Sequence, residues 1–433
     1  MTLAPPELLT DRYELAMADS YIAAGIAGDR VAFELFVRDL PAPFGYLLVA
    51  GLESVASYLR SLRFGAGSLA YLEEERICGP AALTALAELR FDGDVDAVAE
   101  GSIVFAGEPL VRVEGSRLAC QLVESHLLNQ VNFQTLIATK AARMVDAAAG
   151  RPVVDFGYRR AHGSDAGLLA ARSAYLGGCI GTATVAAGYL WGIPTLGTMA
   201  HSYVMAFTDE VTAFRRFLRD RPGESTLLID TYDAVAGAAA AVEASRAEGI
   251  VPQMVRIDSG NAGELARAVR AVLDEGGLRS TGIFCSGDLD EYEIARLVAG
   301  EAPIDGFGVG TRLTTGWDVP ALGGVYKLVE SAGRPVMKTS PGKATLPGRH
   351  QVFRDCDGDV IGLAGEQLAG RALLEPVLRA GAPVAELPAL QEIRRRAERE
   401  RAELPAEVRR AVDPVTRRPR HSEQLAALVG ELV

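Results

Sequence analysis

The sequence predicts an α/β protein built on an irregular (β/α) barrel, together with a second α+β domain. From about residue 153 to about residue 329, short apolar runs alternate with amphipathic helical stretches, and most of the runs close on Gly or Asp. Such alternation is typical of a parallel sheet with crossover helices. We therefore expect an N-terminal α+β domain over 1–140, the barrel over 141–330, and a C-terminal segment over 331–433 that returns to the N-terminal domain and ends in a helical tail.

The N-terminal part predicts a helix followed by a small β module. The stretch LLTDRYELAMADSYIAAG has apolar residues at helical spacing, with Thr10 or Asp11 as the cap and Glu14 in the first turn. The stretch VAFELFVRDL alternates with period two, as a strand does, and residues 92–117 break into short β-branched runs at Glu-Gly turns. Residues 118–150 have the pattern of one long helix.

The barrel strands are predicted at VVDF, PTLG, LLID, PQMVRID, GIFCSGD and IDGFGVG, with a possible further strand near 325–329. This number fits a closed or nearly closed barrel better than a flat doubly wound sheet. In such a barrel the reactive groups lie at the C-terminal strand ends, which is where Asp, Arg and Gly residues collect in this sequence.

Composition excludes several classes of partner. With 44 basic and 56 acidic residues the net charge is −12, which argues against nucleic acid or an anionic membrane surface as the main partner. The sequence has no apolar run of about 20 residues and no basic n-region of a secretory signal. The five cysteines are too scattered for a zinc or disulfide framework. We expect a cytoplasmic protein with buried thiols, and a solvated helix at the charged stretch EIRRRAERERAELP.

Two predicted strand ends carry the small residues that a phosphate site needs. CSGDLDE places Ser286 and Gly287 ahead of a helix, and GFGVGTRLTT places Gly308, Gly310 and Thr311 in a turn. Small residues let the backbone N–H groups approach an anion, and late-strand loops of barrels often bind phosphate. The same glycines could merely form tight turns, and neither stretch matches a Walker A or dinucleotide-binding pattern.

Polar residues at other predicted strand ends are candidates for catalysis. VRIDSGN carries Arg256 and Asp258, and a carboxylate there could accept ribose hydroxyl groups or help to hold a hydrated Mg²⁺. Asp288 and Asp290 are further acids of the same rim, and they would suit a metal-bound polyphosphate or the oxocarbenium-like centre of a glycosyl transfer. His201 closes TLGTMAH, with Thr198 nearby, and such a histidine could accept a phosphoryl group or could be structural.

Motifs over nearly the whole chain resemble, in the same order, those of the nicotinate phosphoribosyltransferase family. They are LLTDRYELAMADSY, FELFVRDLP, DFGYRRAHG, GTMAHS, VRIDSG, CSGDLDE, GFGVGTRL, GGVYKLVE and KATLPGRHQVFR. The resemblance implies a type II phosphoribosyltransferase-like fold, whose α+β domain is built from both chain ends. It also implies transfer of phosphoribosyl from phosphoribosyl pyrophosphate to nicotinate in NAD salvage. Mg²⁺ would be the cofactor and ATP a co-substrate, in a homodimer with shared active sites.

The same resemblance implies roles for individual residues. His201 would be transiently phosphorylated by ATP, and Arg159 would lie against the pyridine carboxylate and the phosphates. Arg256 and Asp258 would contact the ribose. Thr198 would bind substrate, as would Asp11 and Tyr13 from across the dimer interface. The 5′-phosphate would be bound by Ser286, Gly287, Gly308, Gly310 and Thr311. The pyridine ring would stack on Phe156 or on Tyr13.

The identity of the substrate leaves alternatives open. Nicotinamide phosphoribosyltransferases share these turns but carry an acid where GTATVAAG has Ala183. An acid there would repel the nicotinate anion, so its absence favours nicotinate. Quinolinate phosphoribosyltransferase fits less well, because its substrate has two carboxylates and it needs no phosphorylated histidine. A catalytically silent nucleotide-binding regulator with the same fold is another alternative. An unrelated phosphate-binding barrel such as an aldolase is the last, and it would require a Schiff-base lysine or a metal-histidine set that the predicted strand ends do not show.

Overall fold

The structure is a computed structural model that describes residues 4–432, and the chain forms two compact units. The first unit contains the chain up to Leu136, Ala321–Leu404 and the chain from Val415 onward. The second unit contains Ile137–Pro320 and Pro405–Pro414. Both chain ends thus contribute to one unit, and the predicted combination of a parallel α/β sheet with an α+β part is confirmed.

The N-terminal part of the chain folds into helices and short antiparallel strands. In chain order these are α1 (Arg12–Ala23), β1 (Arg30–Val37), β2 (Leu47–Leu48), α2 (Leu52–Ser61), α3 (Ala66–Glu74), α4 (Pro80–Glu88), β3 (Asp94–Val98), β4 (Ile103–Val104), β5 (Pro109–Ser116), α5 (Arg117–Leu122) and α6 (Glu124–Ala147).

The central part alternates strands and helices, as its sequence pattern predicts. Its elements are β6 (Val153–Asp155), α7 (Ser164–Leu176), β7 (Gly181–Thr182), α8 (Val185–Trp191), α9 (His201–Met205), α10 (Glu210–Asp220), β8 (Thr226–Leu228), α11 (Ala234–Glu248), β9 (Met254–Ile257), α12 (Ala262–Glu275), β10 (Gly282–Cys285), α13 (Glu291–Ala299), β11 (Gly306–Val309) and α14 (Thr311–Thr314). A 3₁₀ turn, Tyr158–Arg160, lies between β6 and α7.

The C-terminal part is mostly antiparallel and ends in helices. Its elements are β12 (Gly324–Ser331), β13 (Arg334–Pro335), β14 (His350–Asp355), β15 (Gly358–Leu363), β16 (Arg371–Ala372), β17 (Leu374–Arg379), β18 (Ala382–Pro383), α15 (Leu390–Glu403), α16 (Ala406–Arg409), β19 (Arg420–His421) and α17 (Glu423–Leu432).

The first unit is organised by a seven-stranded sheet in the order β13-β12-β1-β5-β3-β17-β18, whose strand pairs are antiparallel. Strand β1 is buried along nearly its whole length, because apolar side chains occupy most of both of its faces. A four-stranded sheet, β16-β14-β15-β19, and the pair β2-β4 complete this unit's β structure in the described part of the chain.

The second unit is built on a parallel six-stranded sheet in the order β7-β6-β11-β10-β9-β8, which curls into a half-barrel. Helices of the crossover connections begin at polar caps. The Asp290 carboxylate, for example, accepts the backbone N–H of Glu293 at 2.8 Å and starts α13.

Four sequence-based expectations about single elements need correction. PTLG is not a strand, because Pro194 lacks an N–H and Thr195 makes only an isolated bridge to Thr182 in β7. The run near 325–329 is β12, which pairs with β1 in the first unit's antiparallel sheet and not with the barrel strands. Helix α1 begins after Asp11, but among the described residues that carboxylate makes no capping bond and accepts Ser125 Oγ at 2.8 Å instead. The charged helix α15 is solvated on one face only, since it buries Ile393, Ala397 and the charged Glu400 and Arg401.

Across residues 4–432, no helix combines the length and the apolar character that crossing a membrane requires.

Candidate active site

The carboxyl ends of the parallel strands gather the candidate residues at one edge of the second unit's sheet. Parallel strands all end on the same side, so the residue after each strand faces its neighbours. These residues are Phe156 after β6, Ala183 after β7, Ile229 and Asp230 after β8, Asp258 after β9, Ser286 after β10 and Gly310 after β11.

A cavity of about 200 Å³ opens at this edge. Its walls are formed by Phe156, Arg159, Arg160, Arg256, Asp258, Ser286, Gly287, Asp288, Gly308, Gly310 and Thr311. The structure therefore brings together the predicted ribose, phosphate and pyridine residues of the second unit in one place.

Arg256, Asp258 and Ser286 form a hydrogen-bonded triangle at the floor of the cavity. Arg256 donates from Nη2 to Asp258 Oδ1 at 2.6 Å and from Nε to Ser286 Oγ at 2.7 Å. Ser286 Oγ donates to the same Asp258 oxygen at 2.5 Å. Burial acts to raise the pKa of Asp258, but the Ser286 hydrogen bond and the Arg256 charge outweigh it and lower the pKa below its ordinary value. Asp258 is thus held as a carboxylate.

His201 lies next to this triangle at the start of α9. Its Nε2 is 4.0 Å from Asp258 Oδ2, and its Nδ1 is 3.2 Å from Thr231 Oγ1. The ring is half-exposed, so a substrate can reach it. Thr198 lies in the loop before α9, where its hydroxyl donates to the carbonyl of Thr226 at 3.1 Å and so ties this loop to β8. Its role in substrate binding stays a prediction.

Asp230 belongs to the same cluster, although it was not among the residues predicted from the sequence. Its Oδ2 accepts the backbone N–H of Asp258 at 2.9 Å and Ser259 Oγ at 2.7 Å. Its other oxygen, Oδ1, is buried and has no hydrogen-bond partner within residues 4–432. The sequence pattern could have identified Asp230, because LLID ends in Asp just as VRID does. Two acids at the ends of neighbouring parallel strands must lie at the same edge of the sheet.

Asp155 orders two turns that face the cavity. The buried carboxylate accepts the backbone N–H of Gly157 at 2.8 Å and Thr182 Oγ1 at 2.7 Å. Its backbone carbonyl accepts the N–H of Ala183 at 2.8 Å. The turn that carries Arg159 and the turn that carries Ala183 are therefore held by one residue. Burial raises the pKa of Asp155, against the effect of its two hydrogen bonds.

Two glycines allow the close approaches on which the cavity depends. Gly287 has φ +97°, and a Cβ at this position would lie 2.1 Å from the carbonyl oxygen of Asp258. A Cβ on Gly308 would lie 2.7 Å from the Phe156 ring. The following residue, Asp288, also has a left-handed φ of +47°, a conformation that is uncommon for residues other than glycine and costs energy.

Asp11 and Tyr13 lie in the first unit, at the start of α1. The Tyr13 side chain is 46% exposed. Burial of the rest of the side chain, together with the charges of Glu124 and Glu14, raises its pKa. Burial also raises the pKa of Glu14 to about 7, against hydrogen bonds from Ser125 and Thr10. The predicted roles of Asp11 and Tyr13 in substrate binding stay predictions.

A larger cavity of about 430 Å³ in the first unit is a weaker candidate for the active site. Its lining is mainly apolar, and its buried polar groups Glu34 and His350 are already joined to each other at 2.6 Å. Polar groups that satisfy one another leave little capacity to bind a charged substrate. The arginines of this cavity, Arg38 and Arg418, bond the Ala344 carbonyl and the Asp39 carboxylate. The cavity at the strand ends has three arginines and two aspartates on its walls.

Family profiles and known sequences match the chain over most of its length. Family profiles described as the nicotinate phosphoribosyltransferase (NAPRTase) N-terminal domain, the NAPRTase family and the C-terminal domain match residues 8–132, 152–354 and 364–429. A nicotinate phosphoribosyltransferase of Mycobacterium tuberculosis is 45% identical over 94% of this chain and 89% of its own length. One from Bacillus subtilis is 40% identical over 83% of this chain and 77% of its own length.

Solved structures agree with these sequence matches. The crystal structure of human nicotinic acid phosphoribosyltransferase is similar with a TM-score of 0.87 at 30% identity, covering 98% of this chain and all of the human chain (100%). A nicotinate-nucleotide pyrophosphorylase from Pyrococcus furiosus follows with a TM-score of 0.78 at 26% identity, covering 93% of this chain and 98% of that chain. The chain therefore belongs to the nicotinate phosphoribosyltransferase family.

Proposed function

We propose that the cavity at the strand ends transfers the phosphoribosyl group from phosphoribosyl pyrophosphate to nicotinate, in NAD salvage. As a member of its family the chain is an enzyme, and the names of its relatives favour nicotinate over the nicotinamide and silent-regulator alternatives. The main support from geometry is that His201, Asp258 and Arg256 lie together beside two glycine-rich turns.

In the transfer, the pyridine nitrogen forms a bond to ribose C1 while the C1–O bond to pyrophosphate breaks, and pyrophosphate leaves with the electron pair. Positive charge develops on the ribose ring, and the Asp258 carboxylate is placed to stabilise it. Arg159 is exposed at the cavity wall and can pair with the nicotinate carboxylate. Phe156 is the aromatic residue of this cavity on which the pyridine can stack.

We assign the 5′-phosphate to two segments, called here the first phosphate turn (residues 286–290) and the second phosphate turn (residues 308–312). The first contains Ser286 and Gly287, and the second contains Gly308, Gly310 and Thr311. The first follows β10, and the second runs from the end of the neighbouring strand β11 into the start of α14. The close packing at Gly287 and Gly308 keeps bulky side chains out of the space that a phosphate needs.

Coupling to ATP is proposed to run through His201. A proton on Nδ1, donated to the Thr231 hydroxyl, leaves the lone pair of Nε2 available as a nucleophile. Attack of Nε2 on the γ-phosphorus of ATP forms an N–P bond and releases ADP. Water then cleaves the N–P bond and releases phosphate, so ATP is consumed without entering the pyridine nucleotide.

Two carboxylates at the site fit a bound Mg²⁺. Hard oxygen ligands suit this ion, and the buried Asp230 Oδ1 has no other partner among residues 4–432. The backbone N–H of Asp258 donates to the Asp230 carboxylate, so the two residues lie next to each other. Asp230 and Asp258 would therefore hold the Mg²⁺ together. When bound, the ion would neutralise charge on the pyrophosphate leaving group.

A homodimer in the cytoplasm is proposed for the assembly. Helix α8 exposes Val185, Tyr189 and Leu190, and large apolar side chains clustered on a surface are typical of an interface. Asp11 and Tyr13 of a second copy would complete the substrate site. The buried thiols of Cys78, Cys120 and Cys285 suit a reducing compartment.

Product formation tests the proposed reaction. Purified protein with labelled nicotinate, phosphoribosyl pyrophosphate, Mg²⁺ and ATP is expected to form nicotinate mononucleotide. Labelled nicotinamide in a parallel reaction is expected to react poorly. Product from nicotinamide alone would reassign the substrate, and nucleotide binding without product from either pyridine would indicate a silent regulator.

A further inference from the structure

A buried group of charged residues lies in the second unit and has no part in the chemistry described above. Lys140 and Arg143, one turn apart on α6, are each 1% exposed, and Glu291 is fully buried at 0%. Lys140 Nζ donates to Glu291 at 2.9 Å and also to Asp318, and Arg143 Nε donates to Glu291 at 3.0 Å. The buried group thus consists of two cations that form ion pairs with two carboxylates.

The two carboxylates held by Lys140 come from the segments that follow the two phosphate turns. Glu291 is the first residue of α13, directly after the first phosphate turn. Asp318 comes after α14, which begins within the second phosphate turn. One ammonium group therefore ties the segments that follow the two turns to the same point on α6.

A second ion pair joins the same two turns directly. Asp290, the last residue of the first turn, caps α13 and also accepts from Arg312 in the second turn. The two turns are thus linked both through Asp290 and Arg312 and, beyond the turns, through Lys140.

Energetic considerations favour a geometric role for the buried group. Removing charges from water offsets much of the attraction between them, so a buried ion pair contributes little net stability compared with apolar residues of the same volume. Its directed N–H bonds, however, fix the positions of the elements they join. Arg143 shares Glu291 with Lys140 and also donates to the carbonyls of Arg410 and Ala411 at 3.3 and 2.8 Å, which lie on neither turn.

We propose that Lys140 is a positioning residue that sets the separation of the two phosphate turns and thereby the affinity for the phosphate end of phosphoribosyl pyrophosphate. This inference rests on the phosphate-binding role proposed above for the two turns. Lys140 itself touches neither the substrate nor the reacting atoms.

The variants Lys140→Met and Asp318→Ala remove the link at its centre and at its more exposed end. Both are expected to raise the KM for phosphoribosyl pyrophosphate by about tenfold or more, because misplacement of binding groups by roughly 1 Å can cost on the order of a hundredfold. The KM for nicotinate is expected to stay within about twofold, because the nicotinate residues lie on other turns. If Lys140→Met does not fold, Asp318→Ala alone decides.

Arg143→Met is the matched control, because it removes an equally buried cation from the same helix and the same carboxylate. It is expected to lower the melting temperature and to leave the KM for phosphoribosyl pyrophosphate unchanged. A merely structural role for Lys140 predicts the same pattern for Lys140→Met, and that result would overturn the inference.

Thr311→Ala separates failure of the inference from failure of the phosphate assignment. If Thr311→Ala raises the KM for phosphoribosyl pyrophosphate while Lys140→Met and Asp318→Ala do not, the inference is wrong and the phosphate turns stand. If Thr311→Ala also leaves this KM unchanged, the phosphate assignment fails and the inference falls with it.

Discussion

Replacing Gly287 by alanine should damage both catalysis and folding. The residue has φ +97°, and its new Cβ would lie 2.1 Å from the carbonyl oxygen of Asp258. An ordinary carbon–oxygen contact is about 3.3 Å, so the first phosphate turn must move by about 1 Å relative to Asp258. The same change thus disturbs the first phosphate turn and the carboxylate that is proposed to face the ribose.

The expected magnitude follows from this displacement. A shift of about 1 Å in a positioned group can cost on the order of a hundredfold in rate, which corresponds to about 2.7 kcal/mol at about 1.36 kcal/mol per tenfold. The left-handed backbone adds about 1–2 kcal/mol of strain for a residue with a Cβ. We therefore expect a loss of about a hundredfold in kcat/KM for phosphoribosyl pyrophosphate and a destabilisation of a few kcal/mol.

Gly277→Ala provides the matched control. Gly277 has a similar φ of +88°, but no described heavy atom lies within 4 Å of the position of its Cβ. It should lose about 1–2 kcal/mol of unfolding free energy and keep its kinetic constants. Steady-state kinetics and urea unfolding of both variants measure the difference. Equal kcat/KM values for Gly287→Ala and the wild type would refute the proposed role of this turn.

Four further outcomes are expected. His201→Ala should abolish ATP stimulation and acid-labile phosphorylation but spare some ATP-independent transfer; phosphorylation that persists in this variant would show that another residue is the acceptor. Arg159→Ala should raise the KM for nicotinate about ten- to a hundredfold, because a hydrogen bond to a charged group contributes about 1.5–3 kcal/mol, and an unchanged KM would exclude it as the carboxylate partner. Because the pKa of Asp258 is lowered in the folded protein, its contribution to stability is fully present above its unfolded pKa of about 3.9 and is lost as the pH falls through the lowered folded pKa. Urea unfolding of Asp258→Asn should therefore show a weaker loss of stability over this acid range, and an identical pH dependence would contradict the assignment. Tyr189→Ser on α8, where the side chain is 89% exposed, should shift sedimentation towards the monomer, whereas Tyr71→Ser, 49% exposed in the first unit, should not; a dimer unaffected by both would place the interface elsewhere.

Local sequence signals were sufficient for most of the barrel. Runs such as VVDF and GIFC are short and mainly apolar, and each is followed by a glycine or a polar residue, so each could be recognised without knowledge of its neighbours. PTLG has the same appearance but pairs only at Thr195. Whether such a run becomes a strand depends on the neighbour available to it, and that is a property of the whole sheet.

The motifs also identified the family and most of the residues that line the cavity, because the carboxyl ends of parallel strands must meet at one edge. The motifs could not distinguish Asp230 from the other acids at strand ends, because its importance comes from its hydrogen bonds with Asp258 and Ser259. A single acid after a strand is common, and only its neighbours distinguish it from the others.

The sequence by itself therefore determined the alternation of strands and helices, the substrate class and the identity of the glycine-rich turns, since these depend on residues close together in the chain. Tertiary structure alone decided that β12 joins the antiparallel sheet, that Asp230 lies beside Asp258, and that Lys140 reaches both Glu291 and Asp318. Lys140 is separated from those two carboxylates by 151 and 178 positions. Contacts at such separations arise from the packing of whole elements, and no local pattern encodes them.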